Sequence, residues 1–252
     1  MADPAERTIL ITGASAGIGA ACARMAAAPG VTVLLHYGAN RAGAEAVAGE
    51  VRQAGGVAHL LQCDFSRPEG IAAMMEAVAP LADPDLPLHL VNNAGIVDRT
   101  ASIADMTPER LTRMFTVNIT APILVAKGAV ALMRRQNGGG AIVNISSAAA
   151  RLGSGNQFLD YAASKGAIDS FTYGLADELA AEGIRVNAIR PGLIDTAIHA
   201  KGGEPDRADR LAHRVPMQRV GHPEEIAEAI LWLLSEKASY VTRSILDVSG
   251  GR

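Results

Sequence analysis

Short apolar runs rich in β-branched residues alternate along this chain with longer, alanine-rich amphipathic runs. The short runs predict strands at Thr8–Ile11, Val31–Leu35, Val57–Gln62, Leu88–Val91, Ala141–Ile145, Arg185–Ile189 and Ile245–Val248. The longer runs predict helices at Gly17–Ala28, Arg41–Ala54, Pro68–Val78, Pro108–Arg135, Tyr161–Ala181 and Pro223–Leu234. Because the strands lack polar alternation, both of their faces should be buried, as in a parallel sheet. The pattern therefore predicts an α/β fold, a doubly wound parallel sheet flanked by helices on both faces.

The 252 residues suit one large domain, and no linker or run of charge divides them. We therefore expect a single domain over residues 1–252. The segment Leu193–Val215 is polar, contains two glycines and has no clear apolar period. It is interpreted as a substrate lid, or an irregular helical excursion beside the sheet, at about 193–215.

Composition restricts the partners and the compartment. The 23 basic and 26 acidic residues give a net charge of −3, which does not suit binding to nucleic acid or to an anionic membrane. The N-terminus lacks the basic start and apolar run of a signal peptide, and glycines interrupt the apolar stretch after Thr8. Two cysteines suit a reducing compartment, hence a cytoplasmic protein, and the six histidines show no metal-ligand spacing. A small-molecule substrate is the expected partner, with no metal.

A glycine-rich segment, Thr12–Gly19, lies between the first predicted strand and the first predicted helix. Glycines let a backbone turn tightly and approach a pyrophosphate, which the N–H groups of the helix N-terminus then bind. This position favours a Rossmann-like dinucleotide site with contacts from Gly13, Ser15, Gly17, Ile18 and Gly19. The alternative is a glycine turn that only packs the helix against the strand.

The end of the second predicted strand bears on the choice of cofactor. NAD-selective sites usually place an acid there, on the ribose 2′-hydroxyl, but this chain has no acid before Glu45. With Arg41 near by, NADP(H) is favoured and NAD(H) remains possible. Alternatively, Arg41 is only the solvated start of a helix. Asp64 ends the third strand, where it accepts a hydrogen bond from an adenine amine or is a plain turn residue.

Tyr161 and Lys165 are four residues apart, which places both side chains on one face of a helix. A phenol loses its proton at about pH 10, and a neighbouring ammonium lowers that pKa. The pair therefore predicts a tyrosine that acts as an acid and base near neutral pH. The alternative is an ordinary surface helix.

The motifs together resemble the classical short-chain dehydrogenase/reductase family over essentially the whole chain. They are T-G-A-S-A-G-I-G (Thr12–Gly19), N-N-A-G (Asn92–Gly95), Asn118, S-S (Ser146–Ser147), Y-A-A-S-K (Tyr161–Lys165), R-P-G-L-I-D-T (Arg190–Thr196) and S-G-G (Ser249–Gly251), in the family's order. The resemblance implies hydride transfer between a nicotinamide cofactor and a carbonyl/alcohol pair.

The resemblance also implies residue roles. Tyr161 would donate the proton in reduction and accept it in oxidation. Lys165 would lower the pKa of Tyr161 and hydrogen-bond the nicotinamide ribose. Ser147 would hold the substrate oxygen, and Asn118 would support a water that relays protons to Lys165. The expected cofactor contacts, besides the glycine segment, Arg41, Asp64, Tyr161 and Lys165, are Tyr37, Phe65, Asn93, Ala94, Gly95, Pro191, Gly192, Ile194 and Thr196.

Three positions depart from the family pattern. Ser147 lies fourteen residues before Tyr161, one more than the commonest spacing. The N-I-S-S context favours it, and Ser146, which strand alternation points the other way, is the lesser candidate. Ala16 stands where many NADP-using members carry a basic residue. Arg243 stands where relatives often have glycine.

The sequence leaves the substrate open. The expected cavity walls contribute Arg151, Leu152, Gln157, Phe158, Leu193, Ile198 and His199, with no strong charge cluster. The resemblance favours the sugar- and polyol-dehydrogenase branch. The main alternative is a 3-oxoacyl-carrier-protein reductase, for which Arg110, Arg113, Lys127, Arg134 and Arg135 would form a basic landing strip, unless they are a solvated helix face.

Two other function classes are the alternatives to catalysis of this kind. One is a non-catalytic NADP(H)-binding sensor or scaffold, and the other is an extended-family epimerase or dehydratase. Small residues at helical spacing, Ala163, Gly166, Ala167 and Ser170, predict close helix packing between subunits, and the resemblance implies a homotetramer.

Overall fold

The computed structural model describes residues 6–135, 139–196, 202–204 and 206–252, and its strands form one parallel sheet. The strands are β1 (Arg7–Ile11), β2 (Val31–Tyr37), β3 (Val57–Gln62), β4 (Leu88–Asn92), β5 (Gly140–Ile145), β6 (Ile184–Pro191) and β7 (Ile245–Val248). Their order across the sheet is β3-β2-β1-β4-β5-β6-β7. The order reverses between β1 and β4, so the switch point, where ligands bind in such sheets, lies at the carboxyl ends of these two strands.

Helices cover both faces of the sheet. They are α1 (Gly17–Ala26), α2 (Arg41–Gln53), α3 (Ile71–Val78), α4 (Pro108–Phe115), α5 (Ala121–Met133), α6 (Ala149–Leu152), α7 (Leu159–Leu179), α8 (Arg207–Leu211) and α9 (Pro223–Leu234). One apolar core joins the sheet to α1, α2 and α9, and a second joins the opposite face to α3, α5 and α7. The predicted doubly wound α/β sheet is confirmed.

Alternation along single strands explains the two cores. Ile9 and Ile11 of β1 lie in the first core, whereas Leu10 lies in the second, and all three are fully buried. Successive side chains of a strand point to opposite faces, so a strand covered on both sides needs an unbroken apolar run. The apolar runs of the sequence therefore report burial on both faces.

The predicted helix Pro108–Arg135 is helical over Pro108–Met133, but it is not α-helical throughout. The α-helical path stops at Phe115, continues as a π-helical turn over Thr116–Thr120, and resumes as α5. Pro122, in the first turn of α5, lacks the N–H that an uninterrupted helix would use at that point.

By length and mean hydropathy (1.6) the stretch Pro108–Met133 would pass as a membrane-crossing helix, but α5 packs against α3 and β4.

Arg243 has a structural explanation. Its φ angle is 61°, in the left-handed region that favours glycine. Its backbone N–H donates to the Val186 carbonyl at 2.8 Å, and its guanidinium pairs with Asp177 at 2.8 Å and lies 5.0 Å from the centre of the Tyr173 ring. These contacts hold a strained arginine that links the turn before β7 to α7.

Candidate functional site

The loop between β1 and α1 has the backbone that its glycines predict. Gly13 and Gly17 have φ angles of 67° and 56°, which side chains rarely allow. At Gly19 an added Cβ would stand 2.5 Å from the Gly13 carbonyl oxygen, so the loop and the helix touch there. Ala16 precedes α1 and has no side-chain group to cap it, and no acid lies in the first helical turn. The loop therefore leaves an uncapped helix N-terminus facing a close backbone cradle, which suits an anion.

A hydroxyl joins this loop to the segment after β4. The Thr12 Oγ1 accepts hydrogen bonds from the backbone N–H groups of Asn93 and Ala94, each at 2.9 Å. The Asn93 side chain in turn donates to the carbonyls of Thr12 and Gly13, at 2.8 and 3.2 Å. The two motifs flanking the switch point are thus one hydrogen-bonded unit.

His36 supports the same loop and was missed by the sequence reasoning. Its Nδ1 accepts from the Gly13 N–H at 3.1 Å, so its Nε2 carries the proton and donates to the Cys63 carbonyl at 3.0 Å. The ring stacks on Phe65 with centres 4.1 Å apart. Burial lowers the pKa of His36 to about 4, which keeps the ring neutral and able to accept.

The buried histidines predict acid sensitivity. Burial also lowers the pKa of His89 to about 3, so the unfolded chain, with ordinary histidine pKa values of 6.5, binds protons that the folded one excludes. The contribution of these two histidines to the free energy of unfolding is therefore complete above about pH 6.5. It is lost as the pH falls towards their pKa values in the folded protein. For His36 alone we expect a loss of about 2 kcal/mol between about pH 7 and pH 5, measured by denaturant titration. His36→Gln should shrink the loss by that amount; an unchanged loss would contradict this account.

A cleft over the glycine loop collects most of the predicted cofactor residues. It is lined by Gly13, Ser15, Gly17, Ile18, Asp64, Phe65, Asn93, Ala94, Gly95 and Thr196. Gly19 supports the loop from behind through its contact with Gly13. Asp64 accepts hydrogen bonds from the Ser66 N–H and hydroxyl, at 2.9 and 2.8 Å, so it is ordered within the cleft wall.

Tyr37 and Arg41 are predicted cofactor residues that do not line this cleft. Tyr37 is buried at the end of β2, and the adjoining wall is formed by Gly38, Ala39 and Asn40. Arg41 begins α2, is largely exposed, and pairs with Glu45 through a 2.8 Å contact. An incoming phosphate would have to draw Arg41 away from that carboxylate.

A second cavity adjoins the cleft and contains the predicted catalytic residues. Ser147, Tyr161 and Lys165 line it, together with Pro191, Gly192 and Ile194. Ile18, Asn93, Gly95, Val97 and Thr196 line both cavities, so the two spaces share a wall. Ser146 also borders this cavity, but its hydroxyl donates to the Lys165 carbonyl at 3.2 Å, so it is engaged within the protein.

The electrostatics of the pair differ from the expected lowering of the tyrosine pKa. Burial raises the pKa of Tyr161, and a hydrogen bond with Ser147 only opposes that rise. The Lys165 Nζ lies 5.7 Å from the centre of the Tyr161 ring and donates to the Ile145 carbonyl at 2.7 Å. Burial lowers the pKa of Lys165 to about 8, so near pH 8 its charge is already partly lost. In the protein alone, desolvation outweighs attraction between the two side chains.

Asn118 lies in the π-helical turn and is almost fully buried. Its side-chain oxygen accepts from the Ile96 N–H at 2.8 Å, and its amide nitrogen donates to the Ile96 carbonyl at 2.9 Å. Gly95, beside Ile96, packs closely on this site, since a Cβ there would stand 3.3 Å from the Asn118 Oδ1 and 3.5 Å from the Lys165 Nζ. Asn118 therefore fixes the wall next to Lys165.

Two polar side chains that sequence reasoning missed, Ser164 and Asp160, fix the start of α7. The Ser164 hydroxyl donates to the Tyr161 carbonyl at 2.7 Å and accepts from the Asn118 amide at 3.1 Å. Asp160 is buried and bonded by the Arg110 Nε at 2.8 Å. The residue before Tyr161 is thus tied to α4.

The expected walls of the second cavity are partly correct. Leu152, Phe158 and Leu193 line it, whereas Ile198 and His199 lie outside the described residues. Arg207 and Arg252 also line it, which corrects the expectation of walls without a charge cluster. Arg207 lies in the predicted lid segment and Arg252 follows the S-G-G motif, but sequence reasoning did not predict that either arginine lines the cavity.

The proposed basic strip is largely neutralised. Arg110 pairs with Asp160, Arg113 with Asp98 at 3.6 Å, and Arg134 with Glu182 at 2.7 Å. These pairs favour a solvated, salt-bridged helix surface over a landing strip for an acidic carrier. Within the described ranges, no group of three or more His, Cys, Asp or Glu side chains is placed to hold a metal.

The chain resembles known proteins over nearly its whole length. A family model described as enoyl-(acyl carrier protein) reductase matches residues 13–252. The uncharacterized oxidoreductase YgfF of Escherichia coli (strain K12) is 50% identical over 246 residues, which cover 96% of this chain and 98% of the relative. The cis-4-hydroxycyclohexanecarboxylate dehydrogenase of Sinomonas cyclohexanicum is 39% identical over 98% of this chain and 96% of the relative. The solved structure of angucycline C-6 ketoreductase LanV with bound NADP has a TM-score of 0.89 and 31% identity, covering 98% of this chain and 95% of that one.

Proposed function

This chain belongs to the classical short-chain dehydrogenase/reductase family of oxidoreductases, and from that premise we propose that it is an NADP(H)-dependent enzyme with Tyr161 as its acid and base. It would transfer a hydride between the nicotinamide and a carbonyl or secondary alcohol. The observation that carries the proposal is that two cavities adjoin. Ser147, Tyr161 and Lys165 line one of them, and it shares five lining residues with the cleft over the glycine loop.

The cleft fits a dinucleotide. Gly13 and Gly17 keep the loop free of side chains, and the uncapped start of α1 presents N–H groups to a pyrophosphate. Asp64 and Phe65, which line the cleft, would contact the adenosine end of the cofactor, and Pro191, Gly192 and Thr196, which line the second cavity, would contact its nicotinamide end. When bound, the nicotinamide supplies the hydride chemistry.

The side chains of the second cavity would manage the proton. Ser147 donates a hydrogen bond to the substrate oxygen and orients it towards Tyr161. In reduction the Tyr161 hydroxyl gives its proton to that oxygen, and in oxidation the phenolate takes it back. An anionic Tyr161 phenolate, whose ring centre lies 5.7 Å from the Lys165 Nζ, would favour the charged form of Lys165. Asn118 holds the wall beside Lys165 through Ile96.

The proposal is tested by a panel of carbonyls and alcohols with both nicotinamide cofactors, followed by the absorbance of the reduced nicotinamide. The panel should contain sugars, polyols, 3-oxoacyl thioesters and cis-4-hydroxycyclohexanecarboxylate, the compound named for a relative. Turnover of at least one secondary alcohol or its ketone is expected. Binding of the cofactor without turnover across the panel would favour a sensor or scaffold instead.

Cofactor preference gives a second test. We expect a lower KM for NADPH than for NADH, because Arg41 stands near the end of β2 and no acid precedes Glu45 there. Arg41→Ala should raise the KM for NADPH about 3- to 10-fold, the size of one charge-assisted contact at an exposed site, and leave that for NADH unchanged. Arg24→Ala is the control, since Arg24 is also an exposed arginine paired with a glutamate. Equal use of both cofactors by the wild type would refute the NADP assignment.

We further propose a single domain whose segment 193–215 acts as a substrate lid, since Leu193, Ile194 and Arg207 line the second cavity. We propose that the protein is a homotetramer that assembles through the surface of α7. Ala163 and Ser170 are exposed there, and nothing lies within 4 Å of a Cβ placed on Gly166. That face has room for a second helix. A cytoplasmic location is proposed separately, because the two free cysteines suit a reducing compartment.

A further inference from the structure

The charged side chains around the second cavity all have the same sign. Among the described residues that line it, they are Lys165, Arg207 and Arg252, and none is a carboxylate. Much of the remaining wall is apolar, with Val97, Leu152, Phe158 and Leu193 among its members. A compact anion would be attracted to a wall whose charged side chains are all cations.

Arg207 is held in one position. Its side chain is only 11% exposed, although it is an arginine on a short helix. The Nη2 donates to the Gln157 Oε1 at 2.7 Å, and the guanidinium lies 4.8 Å from the centre of the Phe158 ring. The Glu204 carboxylate lies 3.3 Å from Nη1, but Glu204 also pairs with Arg210. One carboxylate shared by two guanidinium groups leaves positive charge at the cavity.

Arg252 brings a second cation to the same wall. Its backbone carbonyl accepts hydrogen bonds from the Ser249 hydroxyl and the Arg151 Nη2, each at 2.8 Å, so the main chain at this residue is fixed. Its guanidinium makes no ion pair with any residue that the structure describes. Burial, together with repulsion from Arg207 and Arg214, lowers the pKa of Arg252. An anion bound here would relieve that repulsion.

We propose that the substrate is a hydroxy acid, or the matching oxo acid, whose carboxylate is bound by Arg207 and Arg252 while its hydroxyl-bearing carbon faces Tyr161. This rests on the hydride transfer proposed above. The guanidinium fork matches two carboxylate oxygens, and an apolar body between the two polar ends would suit the aliphatic wall. In oxidation the alcohol carbon loses a hydride to NADP⁺ and the hydroxyl loses its proton to Tyr161, so the products are the oxo acid and NADPH.

The first test compares hydroxycarboxylates with their primary amides, which keep the shape and remove the charge. The wild type should turn over cis-4-hydroxycyclohexanecarboxylate, or another hydroxycarboxylate of the panel, with a kcat/KM about 10- to 100-fold above that of its amide. Arg252→Gln and Arg207→Gln should each lower kcat/KM for the carboxylate about 10- to 100-fold, mainly through KM, and change that for the amide little. Arg134→Gln is the control, because Arg134 is also an arginine paired with a carboxylate, Glu182, but it does not line the cavity and does not contact Arg207 or Glu204.

A binding measurement separates this inference from the proposed reaction. The same carboxylate is titrated calorimetrically into the complex of Tyr161→Phe protein with NADPH, in which turnover is not needed. If the carboxylate binds, Arg252→Gln abolishes that binding, and the wild type shows no turnover, the anion site is kept and the proposed oxidoreductase function is overturned. Turnover of neutral alcohols with equal kcat/KM for acid and amide would overturn the anion site alone. Binding of inorganic phosphate without binding of any carboxylate of the panel would also overturn the anion site.

Discussion

Replacing Tyr161 by phenylalanine is expected to lower kcat about 100- to 10,000-fold, the usual contribution of a positioned general acid or base. The substitution removes one oxygen from a ring that α7 holds beside Ser147 and Lys165, and it leaves the shape of the cavity wall intact. The Lys165 Nζ is not placed to take over the role of that hydroxyl, since it donates to the Ile145 carbonyl, and the Ser147 hydroxyl is expected to hold the substrate oxygen instead. Single-turnover absorbance measurements would report the loss.

The same variant should bind NADPH with nearly unchanged affinity, because the glycine loop and the cleft walls do not depend on the phenol. Tyr240→Phe is a matched control, since Tyr240 is fully exposed and should keep wild-type turnover. Turnover by Tyr161→Phe at the wild-type rate would show that another group moves the proton.

Gly19→Ala is expected to weaken NADPH binding roughly 100-fold, through distortion of the loop rather than loss of a contact. The new Cβ would stand 2.5 Å from the Gly13 carbonyl oxygen and 2.6 Å from the Asn93 side-chain nitrogen. Both atoms belong to the hydrogen-bonded unit that shapes the cleft, so the loop must open to relieve the overlap. Overpacking of this kind costs about 1–3 kcal/mol, and the upper end corresponds to that loss of affinity. Fluorescence titration with NADPH would measure it.

Gly49→Ala is the control for this substitution. Gly49 lies inside α2, and a Cβ there meets nothing within 4 Å. Alanine in a helix interior is about 0.5–1 kcal/mol more favourable than glycine, so this variant should be as stable as the wild type or slightly more so, with unchanged affinity. A Gly19→Ala protein with wild-type affinity would show that the close contact is not needed for the cleft.

The features that could be predicted from the sequence are local ones. The apolar run of β1 shows burial on both faces because each residue alternates between the two cores. The glycine segment is predictable because tight turns at Gly13 and Gly17 leave few alternatives to glycine. Tyr161 and Lys165 line one cavity because a helix brings residues four apart to the same face.

The features that escaped prediction depend on distant contacts. Arg252 reaches the cavity because the Gly192 segment packs against Ser249, where a Cβ on the glycine would stand 2.6 Å from the serine Cα. His36 lies on β2 and supports the glycine loop that follows the neighbouring strand β1, and no short sequence motif marks this histidine. The fall in the Lys165 pKa comes from burial, which spacing along a helix does not reveal, and the same burial reverses the expected shift of Tyr161.

The π-helical turn at Thr116–Thr120 makes the length of this stretch unusually critical. Each residue of an α-helix advances the side chains by about 100°, so deleting one residue there would swing everything beyond it round the axis. Asn118 would leave Ile96, or else Gly128, which abuts Met75, would turn away from α3. Insertions and deletions in this segment would therefore be more disruptive than most point substitutions, because the length of the π-helical turn sets both the contact of Asn118 with Ile96 and that of Gly128 with Met75.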